Sequence, residues 1–387
     1  MSGVDDEGGE IEDFTIAVPD PVLADLDERL ARTRLAGLVE GIGWEAGFPP
    51  DYLADLVAHW RDAFDWRAEE RRLNALAHHR TVLDGQAVHF VHLRSPHPGA
   101  FPLLLVHGWP GSFLEFLDAA SLLVDPPAQG GRADDAFDLV IPSLPGYGFS
   151  DPPRTPGWDV DRIAGAFAAL MARLGYRRYG AQGGDWGAQI TTRMALADAD
   201  HCAGLHLNMA LGAAPGDGDL ADTEGADELA AIQRFQRDEG AYAALQGTKP
   251  QTVGAALDDS PAGLLAWIVE KFRSWSDCDG DPERAFSRDR LLTNVTLYWV
   301  TRTATSSARL YWESRRTGSL SRRLPFVDVP TGVARYPKEV LRWPRTWVER
   351  QYRVTHWVEM PRGGHFAAME QPALFADDLR AFFRTVR

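Results

Sequence analysis

Between residues 102 and 208 the chain alternates four short apolar runs with glycine-rich turns and helix-like stretches, and that alternation leaves few folds open. The runs are 102–106 (PLLLV), 137–142 (FDLVIP), 178–182 (RYGAQ) and 203–208 (AGLHLN). Strands that are apolar throughout have to be covered on both faces, and strands separated by helices pair in parallel. The expectation is an α/β architecture, a mostly parallel central sheet flanked by helices. Two later runs, 326–334 (FVDVPTGVA) and 354–360 (VTHWVEM), continue the sheet, and a helix closes the chain.

The remaining segments arrange themselves around that sheet. Over 52–64, Tyr52, Leu53, Leu56, Val57, Trp60 and Phe64 recur with helical spacing. Asp20 and Pro21 predict an earlier helix, with Asp20 as its cap and Pro21 as its first residue, carrying Leu23, Leu26 and Leu30. The stretch 81–94 alternates around Asp84-Gly85, a hairpin signal. Residues 212–227, rich in Gly, Ala and Asp, read as a linker, and the chain to about Leu324 reads as helical. The predicted division is an N-terminal helical meander (1–78), a first core segment (79–211), a helical cap or lid (212–324) and a second core segment (325–387).

Charge and composition exclude several functions. With 40 Lys+Arg against 55 Asp+Glu, the net charge is −15, which disfavours nucleic acid and anionic membranes as partners. Two cysteines, Cys202 and Cys278, make neither a disulfide framework nor a metal cluster. The acidic start, MSGVDDEGGEIEDF, resembles no signal or transit peptide, and no apolar run approaches the ~20 residues that span a bilayer. A soluble, cytoplasmic protein is expected. Arg almost entirely replaces Lys, as in proteins encoded by GC-rich DNA.

The chemistry concentrates at Gly183-Gly184-Asp185-Trp186-Gly187, directly after a strand and before a helix. Glycines around one residue at such a turn form the nucleophile elbow of α/β-hydrolases, and here the elbow residue is Asp185, not Ser. The alternative is a tight turn with Asp185 capping the helix. His107-Gly108-Trp109-Pro110-Gly111 follows the 102–106 strand, where this fold takes an oxyanion-hole amide. The donors would be the backbone amides of Trp109 and Trp186, with His107, Gly108 and Pro110 supporting the turn. His365, after Gly363-Gly364 at the end of the last strand, stands where the fold keeps its base. Glu339 stands where it keeps the acid, and Asp328 is a rival lying inside the strand-like run.

Taken together, HGWPGSFLEF (107–116), IPSLPGYGFSDPP (141–153), GGDWGAQI (183–190), PTGVARYPKE (330–339) and RGGHFAAMEQP (362–372) resemble the microsomal-type epoxide hydrolases. Asp65-Trp66-Arg67 and LNAL at 73–76 resemble that family's N-terminal meander. The resemblance implies an Asp nucleophile, Asp185, a His365–Glu339 charge pair, and two cap tyrosines that carry over onto Tyr242 and Tyr311, with Tyr298 as a nearby competitor. It implies conversion of a small-molecule epoxide and water into a vicinal diol, with no metal and no cofactor. The membrane anchor of the mammalian members has no counterpart in this sequence, so their location is not implied. Haloalkane dehalogenation, which shares the Asp elbow and the His base, stays open, as does ligand binding on a catalytically silent scaffold. Among substrates, a bulky aryl or polyketide-derived epoxide and assorted small epoxides met in detoxification are equally compatible. Trp267, Trp275, Trp299 and Trp312 are the cap aromatics available to line a pocket. Homo-oligomerisation is open.

Overall fold

The computed structural model describes residues 9–35, 37, 41–213 and 225–387. Its nine strands are β1 (Glu12–Asp13), β2 (His78–Leu83), β3 (Gln86–Leu93), β4 (Phe101–Val106), β5 (Phe137–Pro142), β6 (Tyr179–Gly183), β7 (Cys202–Leu207), β8 (Val327–Arg335) and β9 (Tyr352–Glu359). They form one sheet in the order β1-β2-β3-β5-β4-β6-β7-β8-β9. From β5 to β9 every pairing is parallel, whereas β1, β2, β3 and β5 pair antiparallel.

Successive side chains of a strand leave opposite faces of the sheet, and β4 uses both. Leu104 and Val106 join a cluster with Ile163, Phe167, Ile190 and Met194 from the helices Val160–Arg173 and Asp185–Ala197. Leu103 and Leu105 join a second cluster with Leu123, Phe375, Leu379 and Phe382 from the helices Leu117–Val124 and Pro372–Phe383. The uninterrupted apolar run of β4 is therefore a consequence of its place in the middle of a doubly covered sheet. At the other end of the sheet, β2 and β3 turn through Asp84 and Gly85, both with positive φ (50° and 74°), the conformation of a two-residue hairpin that matches strand twist.

Among the described residues between β7 and β8, five α-helices, Ala226–Asp238, Ala241–Gln246, Pro250–Leu257, Pro261–Ser274 and Arg288–Thr301, precede a sixth, Ala304–Thr317. The N-terminal helices Asp20–Ala31 and Pro50–Asp62 pack against this group. Pro50–Asp62 buries Leu56, Val57 and Trp60, at about 1.5–3 kcal/mol for each large apolar side chain.

The structure departs from the sequence reading at two places, and a third expectation lies mostly outside the described residues. Asp20 does not cap its helix: Pro19 holds that position, Asp20 is the first helical residue, and its carboxylate pairs with Arg67 instead. The edge strand β1, only two residues long, carries no periodicity to announce it. The linker expected over 212–227 falls mostly on 214–224, outside the described residues, and a helix begins at Ala226. Cys202 and Cys278 are free and buried. No helix among the described residues is long and apolar enough to cross a membrane.

Candidate active site

β6 ends at Gly183, and the following helix starts at Asp185 with φ +50°. A residue with a side chain adopts this left-handed conformation at a cost of about 1–3 kcal/mol, which the surrounding structure must sustain. The turn presses on β4: a side-chain carbon on Gly187 would collide with the carbonyl oxygen of Val106. One on Gly108 would collide with the Asp185 carboxylate itself. Small residues are thus required on both sides of Asp185.

The Trp109 N–H donates to Asp185 Oδ1 at 2.8 Å, and the Trp186 amide also hydrogen-bonds this carboxylate. Burial pushes the Asp185 carboxyl upward, while the charge of His365 and these two amides pull it back. The start of the Asp185–Ala197 helix adds a positive dipole end at the same point.

His107 serves the neighbouring turn. The Leu144 N–H donates to its Nε2 (3.2 Å), which leaves the ring proton on Nδ1 to donate to the Gly108 carbonyl (2.9 Å). Burial pushes the imidazole down to about 4, so it is neutral at pH 7. The same loop is held from across the molecule by the helix Arg288–Thr301. Asn294 Nδ2 donates to the Pro110 carbonyl (2.9 Å), and Ser112 Oγ donates to Asn294 Oδ1 (2.8 Å). The Tyr298 hydroxyl donates to the Gly111 carbonyl (2.8 Å), and that bond takes up its proton.

Glu339 and His365 lie on adjacent loops joined by a bridge between Lys338 and Gly364. His365 Nδ1 is 2.7 Å from Glu339 Oε1, and its Nε2 is 3.6 Å from Asp185 Oδ2. Glu339 and His365 are only 5% and 6% exposed, so water screens their attraction little. Burial alone would lower the His365 pKa. Glu339, with help from Asp185 and Glu115, overcomes that and lifts it to about 9. The Trp275 carbonyl accepts the His365 N–H (2.9 Å), and the two rings meet edge to face at 5.0 Å. Asp328, by contrast, is an exposed residue near the start of β8, paired with Arg353 at 3.6 Å.

Tyr242, on the helix Ala241–Gln246, and Tyr311, on Ala304–Thr317, reach the same space from above. Tyr311 sits edge-on to Trp186 (4.6 Å between ring centroids) and 5.9 Å from both Trp109 and Tyr242. Burial first, reinforced by the negative charge of Asp185, raises both phenols, which therefore keep their protons at neutral pH. The Tyr311 hydroxyl is buried beside the side chains of Tyr242 and Trp186. A carboxylate held by two amides, faced by a His–Glu pair and roofed by two protonated phenols, can attack carbon, donate protons to a departing oxygen and later accept water at its own carbonyl.

Residues 11–116 match the family model "Epoxide hydrolase N terminus", and residues 102–331 match "alpha/beta hydrolase fold". Epoxide hydrolase 1 of Oryctolagus cuniculus is 40% identical over 412 residues, covering 98% of this chain and 90% of that one. The chain belongs to the epoxide hydrolase family. Two solved structures agree. The juvenile hormone epoxide hydrolase of the silkworm Bombyx mori superposes with a TM-score of 0.91 at 34% identity, covering 98% of this chain and 95% of that one. The Aspergillus niger epoxide hydrolase gives 0.87 at 32%, covering 98% and 97%. The sheet and helices are those of the α/β-hydrolase fold, and the epoxide hydrolase turns an epoxide and water into a diol. This decides against the halide-releasing and non-catalytic alternatives.

Some residues of this epoxide hydrolase site carry no signal in the sequence. Trp275 stands out only as one of several tryptophans in its region, and its contact with His365 crosses 90 positions. Trp267 and Trp312 turn elsewhere, the first donating to Gln246 Oε1 (3.1 Å) and the second stacking with Arg316. Asn294 meets the loop 107–112 from 184 residues away.

Proposed function

We propose that Asp185 is the nucleophile of a two-step epoxide hydrolysis, Tyr242 and Tyr311 the proton donors, and His365, oriented by Glu339, the base of the second step. The observation that carries this is the unequal treatment of the two Asp185 oxygens. Oδ1 accepts the Trp109 amide at 2.8 Å, whereas Oδ2 lies 3.6 Å from His365 Nε2.

In the first step Asp185 attacks a ring carbon, the C–O bond of the epoxide breaks, and a tyrosine proton passes to the ring oxygen. The product is an ester of Asp185. Esterification removes the negative charge of Asp185, one of the influences that raise His365. The imidazolium then gives up its proton more readily, which suits it to restore the tyrosine and act as base. In the second step His365 takes a proton from water while hydroxide adds to the Asp185 carbonyl carbon. The oxyanion forms against the amides of Trp109 and Trp186. Collapse expels the diol, whose oxygen receives the remaining proton, and Asp185 is regenerated carrying the oxygen of water.

The rings of Trp109, Trp186 and Trp275 around the tyrosines favour an uncharged, aromatic or otherwise apolar epoxide. The parts are proposed to divide as the meander 1–78, the cap 212–324 and a sheet domain made from 79–211 and 325–387.

Two variants test the scheme. Asp185→Asn is expected to form no ester and no diol. His365→Gln is expected to form the ester and fail to hydrolyse it, so intact mass gains the mass of one epoxide. Normal turnover by either variant refutes the corresponding role. A panel of styrene oxide, bulkier aryl epoxides and an anionic epoxide tests the substrate class, with the anionic one expected to react slowest.

A further inference from the structure

The scheme above leaves one carboxyl beside the reacting groups without a task. Glu115 lies in the short 3-10 turn Phe113–Phe116, just past the oxyanion loop. Its side chain folds back over Gly111 so closely that a side-chain carbon there would occupy the place of the Glu115 carboxylate. The amides of Gly108 and Ser112 hydrogen-bond it. With Asp185, His365, Asn208 and Gly108, it lines a small cavity whose walls include neither Tyr242 nor Tyr311. The space is about 10 Å³, close to the volume that one water molecule requires. A buried water also requires two or more polar partners, and these walls supply His365, Glu115 and Asp185. Burial pushes the Glu115 carboxyl up to about 8, against the pull of His365. A carboxyl offers an acceptor to a water beside it in either state, and a donor as well once protonated.

We propose that Glu115 is a positioning residue for the second half-reaction: its carboxyl holds the hydrolytic water in this cavity, between His365 and the carbonyl carbon of the Asp185 ester. The role rests on the covalent scheme above. It separates the two approaches to Asp185, with epoxide entering beneath the tyrosines and water waiting against the oxyanion loop. The bond formed is from the water oxygen to Asp185 Cγ, the proton goes to His365, and Glu115 itself ends unchanged.

The test is rapid mixing of the full-length enzyme with styrene oxide, following alkylation by tryptophan fluorescence and the ester by intact mass. Glu115→Ala leaves space and Glu115→Leu fills it, and both remove the hydrogen-bonding group. Each is expected to slow ester hydrolysis at least about tenfold while alkylation stays within about twofold of the parent. Hydrolysis then limits turnover, so kcat and KM fall together, kcat/KM holds, and ester accumulates. Glu115→Gln keeps a donor and an acceptor and is expected to recover most of the hydrolysis rate. Unchanged hydrolysis in the Ala and Leu variants overturns the proposal. So does a parallel loss of both steps, which marks a merely structural residue, or a Gln variant as slow as Ala. Failure of His365→Gln to accumulate any ester overturns the covalent scheme instead, and the two failures are thereby distinguished.

Discussion

Trp109 lies face to face with Tyr242, their ring centroids 5.0 Å apart and their planes 10° from parallel. One residue thus offers its amide to Asp185 and its indole to Tyr242, so the alignment of the Tyr242 ring depends on the loop that holds Asp185. Trp109→Ala keeps the amide and removes the platform. Ring opening, read as kcat/KM on styrene oxide, is expected to fall about 10- to 100-fold, in proportion to the displacement of Tyr242. Trp109→Phe, which restores a ring face, is expected to recover most of the loss.

Tyr242, Tyr298 and Tyr311 are expected to answer differently to loss of the hydroxyl. Tyr298→Phe leaves the buried Gly111 carbonyl without its donor, a cost of about 1–3 kcal/mol in stability, visible in thermal unfolding. Tyr242→Phe and Tyr311→Phe are expected to cost little stability and much more of the ring-opening rate.

The titration of His365 provides a test of the charge linkage between the two steps. Its raised value of about 9 depends in part on Asp185. Asp185→Asn removes that negative charge, as esterification would, and is expected to lower the apparent pKa of His365 in an NMR titration of the ring nitrogens. Since the folded pKa lies above the ordinary value near 6.5, the protonated pair stabilises the parent below about pH 6.5. That contribution is lost as pH rises toward 9, and the Asn variant is expected to lose part of this pH dependence.

A second buried charge cluster lies across the sheet. Asp378 accepts from His206 Nε2 (2.8 Å) with one oxygen and from His356 Nε2 (2.7 Å) with the other. Burial would raise its carboxyl, but the two hydrogen bonds win and hold it well below the usual range. A depressed carboxyl contributes stability above its unfolded value near 3.9 and loses it as pH falls below that. Asp378→Asn is therefore expected to cost about 2–4 kcal/mol at pH 7 by urea unfolding. The deficit should shrink as the pH of the titration is brought below 4.

What the sequence makes legible follows from the range over which each constraint acts. The elbow is local: Gly183, Gly184 and Gly187 surround Asp185 because the turn excludes larger residues, so the steric requirement is written within five positions. The β4 strand is legible too, since coverage of both faces forces every residue to be apolar. Asp20 misleads because Asp before Pro suits a cap and an ion pair equally, and only the location of Arg67 decides between them. The anchoring of the loop 107–112 by Asn294 and Tyr298 is invisible beforehand, because their contacts depend on how the helices after β7 return to β4. Glu115 is hidden for a different reason: in sequence it is one more polar residue in an amphipathic turn, and only its fold back over Gly111 sets it beside Asp185 and His365.

The hydrogen bonds from Asn294 and Tyr298 to Pro110 and Gly111 have a consequence for how such chains diversify. Both bonds end on backbone carbonyls, so a graft of the stretch between β7 and β8 keeps its hold on residues 107–112 wherever it brings donors at the positions of Asn294 and Tyr298. A graft that lacks either donor is expected to loosen the turn that carries the Trp109 amide, although no residue of that turn has changed.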